Sequence, residues 1–177
     1  RPKGVMVTHR GLVNYLSWCT REYEVDRGIG TLVHSPVGFD LTVTSLFSPL
    51  LVGGTVILVG EDQAIDGLQT ALLDNANLSL VKLTPAHLDL LGQSISSDDA
   101  EGRTRAFIIG GEALLEESLH FWRAHAPATR LINEYGPTET VVGCCIYDAS
   151  AAEPRPGAVP IGKPVANTQI YLLDGRL

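Results

Sequence analysis

Basic residues are scarce in this chain. Thirteen Lys and Arg stand against twenty Asp and Glu, giving a net charge of −7 over 177 residues. A nucleic-acid backbone interface needs clustered cations, so that class of partner is excluded. A single nucleotide is not, since it needs only a few groups and often a metal. Cysteine is scarcer still, at Cys19, Cys144 and Cys145. Adjacent cysteines do not readily pair with each other, and neither a Cys-x-x-Cys nor a His-spaced zinc pattern is present. Reduced, buried thiols in a cytoplasmic protein are the expectation. The opening Arg-Pro-Lys-Gly leads into only a brief apolar run, unlike a signal peptide. Uncharged runs of membrane-spanning length are limited to residues 41–60. Pro49 and Gly53-Gly54 divide that stretch, so a buried helix, a turn and a buried strand explain it better than a membrane span.

What the chain has in quantity is β-branched and leucine-rich runs alternating with helical patterns. A length of 177 residues suits one domain with a sizeable core. Strands are expected at residues 5–8, 31–34, 55–59, 78–83, 106–109 and 131–132. Helices are expected from His9, from Asp40 as N-cap through Leu51, over 63–75, from Pro85 through Leu91, and over 114–125. Residues 55–59 (Thr-Val-Ile-Leu-Val) form a continuous apolar run, which implies a strand covered on both faces and hence a parallel sheet. The alternation predicts a doubly wound, mostly parallel α/β sheet of flavodoxin-like type with helices on both faces. It stops near Gly136, so residues 1–140 are expected to form the α/β unit. Residues 141–177 would be a short β-rich extension belonging partly to a neighbouring subdomain, with strands at 141–147 and 169–173. The two ends look like the middle of a loop and an unfinished hairpin, as in a piece of a larger protein.

In an open parallel sheet, ligands bind beyond the carboxyl ends of the strands. The notable polar residues fall at those ends: Asp40, Lys82, Gly110-Gly111-Glu112, and Glu134 through Glu139. The stretch Asn133-Glu134-Tyr135-Gly136-Pro137-Thr138-Glu139 is the richest. It supplies an aromatic face, a tight turn, a hydroxyl and a carboxylate, which suit a flat ring, phosphates and a cation. Thr138 and Glu139 would also serve as the first turn of a helix, itself a favourable place for anions.

Four stretches, in this order, resemble the adenylate-forming enzymes, most closely the amino-acid-activating adenylation domains of nonribosomal peptide synthetases. They are Arg1 to Val5 with Thr8-His9-Arg10-Gly11, then Phe39-Asp40, then Asn133 to Glu139, and finally Pro160-Ile161-Gly162-Lys163-Pro164. The Ser/Thr/Gly-rich first half of the family's phosphate loop is absent. The resemblance implies a nucleotide site of Gly111, Glu112, Ala113, Asn133, Tyr135, Gly136, Pro137 and Thr138, with Lys3 directed at phosphate. Tyr135 would stack on adenine and Thr138 would contact the α-phosphate. Glu139 would help hold Mg²⁺, a normal ligand type for that ion beside phosphates. Thr138 and Glu139 are thus the implied catalytic pair, with ATP and Mg²⁺ as the implied nucleotide and metal. His9 and His34 receive no acid–base role.

The same resemblance places the amino-acid pocket at Asp40, Leu41, Thr44, Lys82, Ile108, Gly110, Glu134, Val142 and Gly143, with Asp40 binding the substrate ammonium. Lys82 is anomalous on physical grounds alone. It interrupts an apolar strand, where an unpaired ammonium is costly to bury. Glu134 is equally out of place two strand ends away. The two either pair with each other or flank something polar. Lys82 offers donors only and Glu134 acceptors only, so a carboxamide suits both, while a substrate carboxylate is repelled by Glu134. The pocket also resembles that of asparagine-activating members. L-Asparagine is therefore the expected substrate, with aspartate and glutamine behind it. The family's reaction forms aminoacyl-AMP and pyrophosphate, then passes the aminoacyl group to the phosphopantetheine thiol of a carrier domain. Its ribose-binding aspartate and C-terminal catalytic lysine have no counterpart in this chain. These 177 residues alone should therefore turn over poorly and depend on the remaining subdomains. An acyl-CoA or aryl-acid ligase of the same superfamily is the alternative, disfavoured because such acids need no counter-ion at Asp40. A non-catalytic excised recognition subdomain is another. A dinucleotide-binding domain is disfavoured by the missing early Gly-x-Gly-x-x-Gly.

Overall fold

The structure is a computed structural model describing residues 4–60 and 64–174. Its strands are β1 (Gly30–Val33), β2 (Thr55–Leu58), β3 (Val81–Leu83), β4 (Ala106–Gly110), β5 (Arg130–Tyr135), β6 (Cys145–Asp148) and β7 (Lys163–Pro164). β1 pairs with β2 in parallel, and a parallel bridge from Thr31 to Leu80 brings β1 alongside β3. β3, β4 and β5 continue in parallel, and β6 and β7 add antiparallel strands. The spatial order 2-1-3-4-5 is the flavodoxin-like one, in which sites form at the carboxyl ends of the strands.

The helices are α1 (His9–Glu22), α2 (Leu41–Leu51), α3 (Ala64–Asp74), α4 (Pro85–Ser94) and the short α5 (His120–His125). Thr8 caps α1 by accepting from the Gly11 amide at 3.1 Å, and Thr84 caps α4 with Pro85 in its first turn. Strand residues alternate between two cores, as side chains on a pleated strand must. Val81, Leu83, Phe107, Ile109 and Leu131 join Leu72, Leu88 and Trp122 on the α3–α5 face. Leu80, Ala106, Ile108 and Ile132 join Tyr15, Leu16, Cys19 and Tyr23 on the α1 face. By the same parity Lys82, Gly110 and Glu134 belong to the α1 face.

Several expectations are corrected. Residues 5–8 have strand composition but no strand partner, and lead directly into α1. Asp40 precedes α2 with helical dihedrals, φ −65° and ψ −24°, and makes no side-chain cap. The helix expected over 114–125 is divided into a 3₁₀ turn, Glu116–Leu119, followed by α5. Its first part is drawn aside because the Glu116 amide donates to the Gly157 carbonyl and Leu115 bridges Ala158. The strand expected over 141–147 begins only at Cys145, because Val141 and Val142 both have φ of 65°. Residues 169–173 form no strand, and Tyr171, Leu172 and Leu173 are exposed. Gln63, the expected start of α3, lies outside the described residues. Among those described, no helix is long and apolar enough to cross a membrane.

Candidate active site

β5 carries its pattern through Tyr135, so Asn133 and Glu134 are strand residues and the turn begins at Gly136. Strand parity sends neighbours to opposite faces. Asn133 faces the α3–α5 side, where its Nδ2 donates to the carbonyls of Val159 and Pro160 at 3.2 and 2.9 Å. That pins residues 158–161 as the far wall of a cleft of about 440 Å³. Gly111, Glu112, Ala113, Asn133, Tyr135, Gly136 and Pro137 all line it, so these residues, distant in sequence, meet in one place. Tyr135 is 49% exposed there, with a ring face available for stacking. Thr138 and Glu139 follow in an exposed 3₁₀ turn, Thr138–Thr140. Thr138 lines a second cavity of about 200 Å³ together with Asp40 and Val142. No group of three or more His, Cys, Asp or Glu gathers among the described residues. A Mg²⁺ held by Glu139 would therefore draw its other ligands from phosphate oxygens and water, its ordinary habit. Lys3 lies outside the described residues. Leu41 lines a third cavity, of about 180 Å³, with His34, Phe39 and His87. Burial lowers the pKa of both histidines, and His34 Nε2 lies 2.9 Å from the Lys82 carbonyl.

Thr44, Lys82, Ile108 and Glu134 are buried between α1 and the sheet. Lys82 Nζ reaches Glu134 Oε1 at 2.8 Å, with the two side chains 3% and 0% exposed. β4 runs between their strands, with Ile108 beside Lys82 and Gly110 beside Glu134. Gly110 lies beside the pair: a Cβ there would clash with the Glu134 backbone carbonyl oxygen at 2.6 Å and stand in ordinary contact, 3.7 Å, with Lys82 Nζ.

The Glu134 carboxylate has two further donors that the sequence reading missed. Tyr23 OH donates to Oε2 at 2.5 Å. Tyr15 OH lies 2.9 Å from Oε1 and 3.3 Å from Oε2, and also 2.6 Å from Thr44 Oγ1. Burial, and then the adjacent Glu134 charge, raise both phenols well above their ordinary range, so both remain protonated donors. The available signal was the eight-residue spacing of Tyr15 and Tyr23, which puts both on one face of α1 and its C-terminal cap. Nothing in the sequence names the acceptor.

Val141 and Val142 lead into Gly143, each with φ of 65°. Left-handed dihedrals in β-branched residues are strained, costing of order 1–3 kcal/mol each. The Gly143 amide closes this turn by donating to the Val141 carbonyl at 2.8 Å. The turn presses Gly143 against Glu134 so closely that a Cβ would overlap its carboxylate. Gly143→Ala should therefore displace a carboxylate that three donors hold in place. The expected cost is about 1–3 kcal/mol, the usual range for overpacking, seen as a lower denaturant midpoint. An unchanged midpoint would mean that Glu134 moves freely.

Over residues 1–177 the chain matches the family model described as AMP-binding enzyme. It is 42% identical over 178 residues to bacitracin synthase 3 of Bacillus licheniformis, covering 99% of this chain and 3% of that protein. It is 39% identical over 177 residues to tyrocidine synthase 3 of Brevibacillus parabrevis, again covering 99% and 3%. Among solved structures, the nonribosomal peptide synthetase FmoA3 in its alpha-methyl-L-serine-AMP bound form superposes with a TM-score of 0.86 at 29% identity. That match covers 99% of this chain and 20% of FmoA3. The chain thus spans a small part of each relative. With a family-model match over its whole length, the chain belongs to the AMP-binding enzyme family.

Proposed function

We propose that this chain is the substrate-pocket part of an adenylation domain that activates L-asparagine with ATP. One juxtaposition carries the reading. Consecutive residues, Pro137 and Thr138, line the Tyr135 cleft and the cavity that holds Asp40, and Glu134, which also lines the cleft, is the partner of buried Lys82. The solved relative in its alpha-methyl-L-serine-AMP bound form supports the adenylation part of this reading, as does a further FmoA3 structure in its AMPPNP-bound form.

In this reading Tyr135 stacks on adenine, and Gly136 lets the backbone approach the nucleotide. Thr138 meets the α-phosphate and Glu139 helps hold Mg²⁺. Asp40 binds the substrate ammonium. The substrate carboxamide takes the place of the direct Lys82–Glu134 contact, giving its oxygen to Lys82 and its NH₂ to Glu134. Its carboxylate is thereby aimed at the α-phosphate, and catalysis is mostly positioning and electrostatics. The products are asparaginyl-AMP and pyrophosphate. The aminoacyl group then passes to the phosphopantetheine thiol of a carrier domain, in the cytoplasm, with the rest of the adenylation domain supplying the remaining catalytic groups.

Amino-acid-dependent ATP–pyrophosphate exchange by the intact enzyme that carries this chain tests the assignment. Asparagine should give the highest kcat/KM of the twenty amino acids, ahead of aspartate and glutamine. Exchange driven by an acid without an α-amine, and by no amino acid, would point to an acyl or aryl-acid ligase. Tyr135→Ala should raise the KM for ATP roughly tenfold to a hundredfold, the usual worth of an aromatic–base stack. An unchanged KM would remove Tyr135 from the nucleotide site.

A further inference from the structure

We propose that Tyr15 and Tyr23 are specificity-determining positioning residues, which fix the Glu134 carboxylate so that the pocket accepts an amide and rejects an acid. The inference deepens the asparagine reading above and rests on it for the identity of the substrate.

A glutamate held only by Lys82, here 2.8 Å from Oε1, could pivot about its ammonium. The tyrosines remove that freedom. Tyr23 OH takes Oε2, and Tyr15 OH lies within reach of both oxygens. The rings are themselves held. Trp18 lies between them, with ring centroids 6.0 Å from Tyr15 and 5.3 Å from Tyr23, and both tyrosines are no more than 2% exposed. Gly143 packs directly against the carboxylate. The negative charge of Glu134 is therefore fixed in position, not only in sign. An incoming amide N–H finds an acceptor in place. An incoming carboxylate meets a like charge that has nowhere to swing.

Tyr15 adds an exchange of partners. Its single proton can go to Glu134 or to Thr44, whose hydroxyl lies 2.6 Å away. When a substrate amide takes a lone pair of Oε1, Tyr15 can turn its proton to Thr44 and so keep an acceptor for its hydroxyl. Thr44, on α2, thereby belongs to the same device.

The test is ATP–pyrophosphate exchange by the intact enzyme with each of the twenty amino acids, for wild type, Tyr15→Phe and Tyr23→Phe. Phenylalanine keeps each ring and removes only the hydroxyl. Tyr23→Phe should lower the asparagine-over-aspartate ratio of kcat/KM roughly ten- to a hundredfold, as expected for losing a hydrogen bond to a charged group. Tyr15→Phe should lower it in the same direction by less, because the Tyr23 anchor remains. A structural role alone would scale all twenty substrates by one factor, and that result, or no change, overturns the proposal. If Tyr23→Phe does not fold, the Tyr15→Phe ratio decides. A wild type that prefers a side chain without an amide would refute the asparagine reading. The tyrosine proposal would then stand or fall on whether either variant reorders the twenty substrates.

Discussion

Lys82→Met should destabilise the domain by about 3–5 kcal/mol, the usual cost of removing one partner of a buried ion pair. Methionine approximates the lysine stem in shape, so the loss comes from the charge it abandons. Glu134 would retain the Tyr15 and Tyr23 hydroxyls but would be a carboxylate with 0% side-chain exposure and no counter-ion. The double variant Lys82→Met/Glu134→Gln should recover a large part of the loss. Its neutral amide keeps a carbonyl oxygen for the tyrosines and needs no cation. Denaturant midpoints of the three proteins, with hydrogen exchange at β3–β5 amides, measure this. A Lys82→Met protein within about 1 kcal/mol of wild type would place the pair in the range of solvent-exposed salt bridges. In the exchange assay the single variant should also lose asparagine preference, since the donor for the amide oxygen is gone.

Trp122→Ala should cost a similar amount, about 3–5 kcal/mol, for a different reason. Trp122 is fully buried on the opposite face of the sheet, with its ring centroid 4.5 Å from that of Phe107 and 5.2 Å from that of Phe121. Its Nε1–H donates to the Leu88 carbonyl at 3.3 Å and so ties α5 to α4. Alanine would leave a cavity beneath β4 and remove that bond. Selectivity among amino acids should stay as in wild type, because nothing from Trp122 reaches the α1 face. Trp122→Phe should lose much less, keeping most of the apolar contact. The comparison with Lys82→Met is diagnostic, since two variants of equal stability loss should differ in substrate ranking. A Trp122→Ala protein with an altered asparagine-to-aspartate ratio would show that the two faces of the sheet are coupled through β4.

Much of the site is legible without coordinates, for a reason visible in particular residues. Lys82 inside Leu-Val-Lys-Leu and Glu134 beside Ile132 are charges where an α/β sheet is dry, and dry charges must be satisfied. The cleft at Tyr135 is legible because Gly110-Gly111 and Gly136-Pro137 end successive parallel strands. What misled the reading was strand composition where no strand exists. Residues 5–8 and 169–173 are as β-rich as β2, yet a strand is defined by its neighbour, and composition does not say whether an edge is available. Leu115 is a comparable case: its helical pattern yields to a bridge with Ala158, forty-three positions on.

The order of types along this chain settled by itself which groups could not be left alone. Periodicity and the cost of burying charge are local quantities, and they survive any packing. Only the tertiary structure decided that lysine and glutamate close to 2.8 Å across a glycine, and that one tyrosine on α1 and one at its C-terminal cap complete the carboxylate's shell. The tyrosine contacts span more than a hundred residues of chain and the ion pair fifty-two, and their lengths follow from strand register and from where α1 docks, which no local pattern encodes.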